Sequence, residues 1–270
     1  MLSSSFSEQA LDEWLAFAVE LADEANSILV PAGRVRPDAV TKPDRSFVTS
    51  LDLAIEQRLR ERIAKRFPNH GILGEEGEPT AIDAELVWVL DPIDGTAPFI
   101  VGMPVYGTLI SLALNGTPIL GIISQGATQD RWIGARGRPT RHSSGPCRTR
   151  ECGSLGQAIL TCSNPDFFPI DDLPALDALR GVTAWRIYGG ACMAYGLLAS
   201  GRTDIALDTG FKAHDFAPYV PIIEGAGGKI TDWHGKPLTL ASGPTILAAG
   251  QAERHAEALA IVQQALATGE

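Results

Sequence analysis

The sequence predicts an α/β protein of two layered halves meeting at a cleft, and three observations carry that prediction. The first half opens on two amphipathic helical patterns and continues as a meander of short apolar segments. The second half alternates short apolar segments with helical ones. Residues 136–154, rich in Gly, Pro, Ser and Arg, read as a loop or boundary between the two textures. This sets the halves at residues 1–150 and 151–270.

Taken in order, the first helix begins near Ser7. Leu11, Trp14, Leu15, Ala18, Ala22 and Ala25 recur at three- and four-residue steps, and the pattern runs out before Pro31 and Gly33. A second helix follows Asp52, with Ile55, Leu59, Ile63 and Phe67 on one stripe and the basic residues between 58 and 66 on a solvated face. The short oxygen-bearing side chain of Asp52 suits its N-cap. Residues 87–90 read as a buried strand ending at Asp91-Pro92, followed by strands at 108–114, 119–124 and 131–134. Asn115-Gly116 is a hairpin signal, because both residues tolerate positive φ. Further strands are expected at 158–162, 183–187, 205–207, 229–231 and 245–248, with helices at 191–199, 216–224 and 252–267.

Composition narrows the function classes. The 270 residues are 45% apolar and 20% charged, which excludes a disordered chain or a coiled coil. Acidic residues outnumber basic ones, 32 to 22, for a formal charge of −10. Such a field repels polyanions and argues against a nucleic-acid partner, yet admits a small anionic substrate where a bound cation reverses the local sign. The four cysteines form no paired C-x-x-C and read as reduced, packed thiols. No run of 18 apolar residues predicts a membrane span, and the first residues lack a basic segment followed by an apolar one, so a cytoplasmic protein is expected.

The chemistry gathers at Trp88-Val89-Leu90-Asp91-Pro92-Ile93-Asp94-Gly95-Thr96, where an apolar strand delivers two carboxylates onto a turn. Two acids at a strand end repel unless a positive charge sits between them, and all-oxygen ligands suit magnesium. Alone, the pair reads as a solvated turn. Matching pieces elsewhere change that: Glu75-Glu76 stands between Gly74 and Gly77, and Asp215 stands at an expected helix start. Backbone amides around Gly95, with the Thr96 hydroxyl, suit a phosphate. No G-x-G-x-x-G fingerprint before a helix, no G-x-x-x-x-G-K-[ST] loop and no convincing Ser-His-Asp elbow is present, so attack by water with help from metals is the favoured scheme.

Together these segments resemble the inositol monophosphatase superfamily. The fingerprints are Lys42-Pro43-Asp44 through Val48-Thr49-Ser50-Leu51-Asp52, then Gly74-Glu75-Glu76, Asp91-Pro92-Ile93-Asp94-Gly95-Thr96 and His214-Asp215-Phe216-Ala217, in family order across nearly the whole chain. The resemblance implies a five-layer α/β/α/β/α sandwich of the inositol monophosphatase and sugar phosphatase type, often homodimeric. It implies Mg²⁺, two or three ions per site with Mn²⁺ able to substitute. Glu75, Asp91 and the Ile93 carbonyl would hold one ion, and Asp91, Asp94 and Asp215 a second. Thr96, oriented by Asp52, would act with Glu75 to position and deprotonate the attacking water, while the Gly95 and Thr96 amides receive the phosphate. Most metal ligands would then lie in the first half, with Asp215 and the substrate contacts in the second.

Within the superfamily the closer resemblance is to histidinol-phosphate phosphatases. It rests on Tyr106-Gly107-Thr108-Leu109-Ile110, Arg131-Trp132-Ile133-Gly134, Tyr188-Gly189-Gly190, residues 194–199 and 222–228, and Lys212 three before Asp215. Gly190, Ala191, Lys212 and Asp208 would meet the substrate. Asp208, seven before Asp215, takes the place of the family's acidic substrate contact, and Ala191 stands where that branch usually has an aspartate. The activity implied is hydrolysis of a small phosphate monoester, in a protein of histidine biosynthesis. An inositol, sugar or nucleotide phosphatase stays open, as does a phosphate- or metal-binding regulatory protein without turnover.

Overall fold

The computed structural model describes residues 6–33, 37–43 and 46–267. Asp44 of the Lys42-Pro43-Asp44 segment lies outside them. Helix α1 (Glu8–Ala32) starts where Ser7 Oγ accepts the Ala10 amide at 3.1 Å. It does not stop before Pro31 as expected. A proline in the final turn forfeits one backbone bond, and fully buried Leu29 still anchors that turn.

A two-stranded antiparallel hairpin, β1 (Ala39–Thr41) and β2 (Phe47–Thr49), leads into α2 (Ser50–Arg66). The α2 N-cap is Thr49 and not Asp52. Asp52 is the third helical residue, and its carboxylate reaches back to the Thr49 amide and hydroxyl as the second half of a capping box. The basic face of α2 is also more than solvated: Arg58, Arg62 and Arg66 pair with Glu24, Glu20 and Glu13 along α1.

The first large sheet has seven strands in the order β3 (Gly71–Gly74), β4 (Leu86–Asp94), β5 (Gly107–Leu114), β6 (Thr117–Gln125), β7 (Asp130–Ala135), β8 (Arg138–His142) and β9 (Gly145–Pro146). The meander is as expected, with Asn115 and Gly116 at φ 49° and 76° closing the β5–β6 hairpin. Two expectations are corrected. Strand β4 does not end at Asp91 but runs on to Asp94, and a short helix, α3 (Thr96–Val101), follows at once. Residues 136–154 are no plain loop: β8 and β9 extend the sheet edge there, and their Arg, Pro and Gly composition is what an edge tolerates.

The second sheet has five strands in the order β11-β10-β12-β14-β13. It is built from β10 (Ile159–Cys162), helix α4 (Leu173–Val182), β11 (Trp185–Tyr188), α5 (Cys192–Ala199), β12 (Ile205–Asp208), α6 (Ala213–Phe216), α7 (Tyr219–Gly225), β13 (Lys229–Thr231), β14 (Ile246–Ala249) and α8 (Ala252–Ala267). Strands β11, β10 and β12 run parallel. The helix expected over 216–224 is broken into α6 and α7 at Ala217-Pro218.

Five layers result. Helices α1 and α2 cover one face of the seven-stranded sheet, and α5, α6 and α7 fill the space between the sheets. Helices α4 and α8 cover the outer face of the five-stranded sheet. With both faces covered, every residue of β5 is buried, and alternate residues serve two cores: Leu109 joins the central layer and Ile110 the α1–α2 layer. All four cysteines are free and buried. Among the described residues no helix is long and apolar enough to cross a membrane.

His255 on α8 is 2% exposed, and one ring nitrogen lies 3.0 Å from Thr231 Oγ1. Burial, helped by Lys229, pulls its pKa from 6.5 to about 4. The unfolded chain therefore takes up a proton that the folded one refuses, and stability is lost as pH falls from 6.5 through about 4. Urea denaturation at stepped pH should show the parent losing about 3 kcal/mol relative to His255→Gln across that interval. Parallel pH profiles for the two proteins would contradict this.

Candidate active site

In an unbroken strand, residues three apart face opposite sides of the sheet. Strand β4 escapes this rule at its end. Asp91 pairs with Leu109 and Asp94 with Gly107, so Pro92 and Ile93 oppose Thr108 alone. This bulge brings Asp91 and Asp94 to the same side. The Pro92 carbonyl, released from the ladder, accepts the buried Thr108 hydroxyl at 2.8 Å. Asp215 arrives from α6, where its carboxylate accepts the Lys212 amide at 2.6 Å. One oxygen each from Asp91, Asp94 and Asp215 then lie within 4.8 Å of one another.

Three carboxylates this close raise one another's proton affinity. Asp91 is 2% exposed, and its Oδ1 is buried without a partner. Burial first, then Glu75, Asp94 and Asp215, push its pKa well above the carboxylate range. Asp94 is pushed up to about 7 by burial and by Asp215, although it accepts the Cys192 amide at 2.6 Å. Burial also raises Asp215, against the pull of His214, whose Nε2 lies 3.8 Å from Oδ1. An orphaned carboxylate oxygen inside a cluster of hard oxygen donors fits a divalent cation.

Glu75 follows β3, its amide on the Leu90 carbonyl at 3.1 Å. Its charge is met by Lys42, whose ammonium reaches Glu75 at 2.9 Å and Glu76 at 2.6 Å. Burial alone would lower the Lys42 pKa, but the hydrogen bonds to both glutamates outweigh it and the pKa rises. Beneath this turn sits Glu56, 2% exposed, which accepts the Glu76 and Gly77 amides at 2.9 and 2.8 Å and Arg60 Nε at 2.7 Å.

The expected Thr96–Asp52 contact takes a different form. Thr96 Oγ1 donates to the Ile93 carbonyl at 3.1 Å, and Asp52 Oδ2 is engaged by Thr49, because the capping box claims that oxygen. Asp52 Oδ1 remains buried without a partner, and burial raises its pKa. Gly95 takes φ 82° between Asp94 and α3. A Cβ built there would lie 2.9 Å from that of Ala191, so Gly95 lets residues 189–191 close over the turn.

Of the four expected substrate contacts, Gly190 and Ala191 are part-exposed in that loop, and Lys212 is exposed beside Asp215. Asp208 is a correction. It is fully buried, and its oxygens accept Ser163 N at 2.8 Å, Ser163 Oγ at 2.6 Å and Tyr195 Oη at 2.8 Å. Those donors hold the carboxylate inside the protein, and burial pushes its pKa up to about 7.

Sequence reasoning passed over Glu56, Thr108, Ser163, Tyr195 and the Cys192 amide. Glu56 had a signal, a charge on the stripe of Ile55, Leu59 and Ile63. The others serve through backbone geometry or a hydroxyl in an apolar run, and nothing in residue order marks them.

Residues 10–267 match a family model described as the Inositol monophosphatase family. The chain is 40% identical over 265 residues to the bifunctional phosphatase IMPL2, chloroplastic, of Arabidopsis thaliana, covering 95% of this chain and 77% of that protein. It is 34% identical over 232 residues to a histidinol-phosphatase of Mycobacterium tuberculosis, covering 82% and 88%. Among solved structures, an inositol monophosphatase from Zymomonas mobilis superimposes with a TM-score of 0.87 at 38% identity, covering 94% of this chain and 99% of that one.

Proposed function

This chain belongs to the inositol monophosphatase family of phosphatases, and from that premise we propose that it hydrolyses a small polar alcohol phosphate, histidinol phosphate in the first instance, with Mg²⁺. The observation that carries the metal dependence is the convergence of Asp91, Asp94 and Asp215 around a buried, unpartnered carboxylate oxygen. Glu75, Asp91 and the Ile93 carbonyl would hold one ion, and Asp91, Asp94 and Asp215 a second; Mn²⁺ would substitute. When bound, the cation supplies Lewis acidity, lowering the pKa of water and neutralising charge on the phosphoryl oxygens.

The chain's own groups do the rest. The Gly95 and Thr96 amides receive phosphate oxygens at the turn that opens α3. Thr96 Oγ1 and Glu75 orient the attacking water, and Glu75 takes its proton. Asp52 Oδ1 is a free acceptor for the Thr96 hydroxyl when the Ile93 carbonyl serves an ion. Water oxygen bonds to phosphorus, the phosphorus–alkoxide bond breaks, and the alcohol leaves with a proton.

Similarity to the mycobacterial histidinol-phosphatase supports the choice of ester. One feature favours a second reading: Ala191 puts a neutral methyl group in the loop beside Gly95, which suits an uncharged polyol such as an inositol phosphate. Phosphate release from histidinol phosphate, inositol 1-phosphate, a sugar phosphate and a nucleoside monophosphate, with and without Mg²⁺, tests both. We expect Mg²⁺-dependent release, greatest with histidinol phosphate. Release that persists in excess chelator overturns the metal dependence. Phosphate binding without release from any ester would assign the chain to the non-catalytic binders.

A further inference from the structure

The parallel strands β11, β10 and β12 end side by side, and their registers place Gly189, Ser163 and Asp208 in one row across the carboxyl edge. Hydrogen bonds join the row. The Gly189 amide donates to the Ser163 carbonyl at 2.9 Å, and the Ser163 amide and hydroxyl donate to Asp208 Oδ1. The other oxygen of Asp208 accepts the hydroxyl of Tyr195, whose ring is stacked at 4.1 Å on Tyr219. Tyr195 belongs to α5, which begins immediately after residue 191. Asp208 is thus tied to both ends of the Gly189-Gly190-Ala191 loop.

That loop meets the reaction centre directly. Its last residue lies against Gly95, and the Cys192 amide that follows donates to Asp94. Ala191 holds φ 44° and ψ −140°, a backbone conformation that an alanine keeps only when its surroundings impose it. Three donors on a carboxylate with no exposed surface leave no oxygen for a ligand in the cleft.

We propose that Asp208 is a positioning residue that fixes the 189–191 loop through Ser163 and Tyr195, and so shapes the pocket for the leaving alcohol without touching it. This rests on the phosphatase reading above, and the test separates the two. Asp208→Asn keeps the geometry, with its oxygen accepting Ser163 and its amide donating to Tyr195. Asp208→Ala and Ser163→Ala cut the tie. With histidinol phosphate as the probe, Asp208→Asn should keep KM within about twofold, while the two alanine variants raise KM about tenfold or more and lower kcat less. Hydrogen exchange of the 189–192 amides should quicken in the alanine variants and hold in Asp208→Asn.

A KM for Asp208→Asn as high as that for Asp208→Ala would overturn the proposal, since only direct contact through the charge makes them alike. If the parent protein releases no phosphate from any ester, the phosphatase reading fails. Exchange then decides the positioning role alone: quickening in Asp208→Ala with protection in Asp208→Asn upholds it, and unchanged exchange in Asp208→Ala sinks it.

Discussion

Asp94→Asn is expected to lower phosphate release by at least about a thousandfold while making the metal-free protein more stable. The two effects have one cause. Asp94 stands within 4.8 Å of Asp91 and Asp215, and burial with Asp215 lifts its pKa from 3.8 to about 7. Above pH 7 its charge opposes folding unless a cation answers it, and this cost fades as pH falls from about 7 toward 4. An asparagine removes the charge but keeps an oxygen for the Cys192 amide, so the turn survives. Thermal denaturation in chelator at pH 8 should therefore give a Tm higher by about 2–6 °C for the variant, a gap that shrinks on acidification. Added Mg²⁺ should raise the Tm of the parent and leave the variant nearly unmoved. Parent-like turnover at saturating Mg²⁺ would remove Asp94 from the site.

Glu56→Ala should be the most damaging change outside the carboxylate cluster. It strips the acceptor from two amides of the Glu75 turn and leaves the part-buried Arg60 guanidinium without its carboxylate. A loss of about 3 kcal/mol in urea denaturation is expected, because breaking a buried pair costs far more than never having built it. Calorimetric titration should also show Mn²⁺ bound about 10- to 100-fold more weakly, since Glu56 orients the turn that carries Glu75. Glu56→Gln, which keeps one acceptor oxygen, should fall between. Unchanged stability and Mn²⁺ affinity in the alanine variant would reduce Glu56 to a bystander.

How much of this was legible in residue order depends on what each feature is made of. Helices α1, α2 and α8 and the β5–β6 hairpin declare themselves, because periodic burial and Asn-Gly turn chemistry are local. Helix α4 was hidden by Pro174, which resembles a breaker until it is placed in the first helical turn, where no amide is needed. The acids at 75, 91, 94 and 215 could be named from the family motifs. Their convergence depends on α6 packing against β4, a contact between distant segments that periodicity does not encode. Asp208 was misplaced for the same reason: its donors, Ser163 and Tyr195, come from a strand end and a helix that only the folded sheet brings to it.

The bulge at the end of β4 has one more implication. What lets Asp91 and Asp94 cooperate is the parity of the spacing between them, odd where a regular strand would need it even. A deletion that restored regular pairing opposite Thr108 would turn one acid away from the other. The protein would retain every carboxylate and still have lost its pocket, so in this stretch of chain function resides in arithmetic as much as in chemistry.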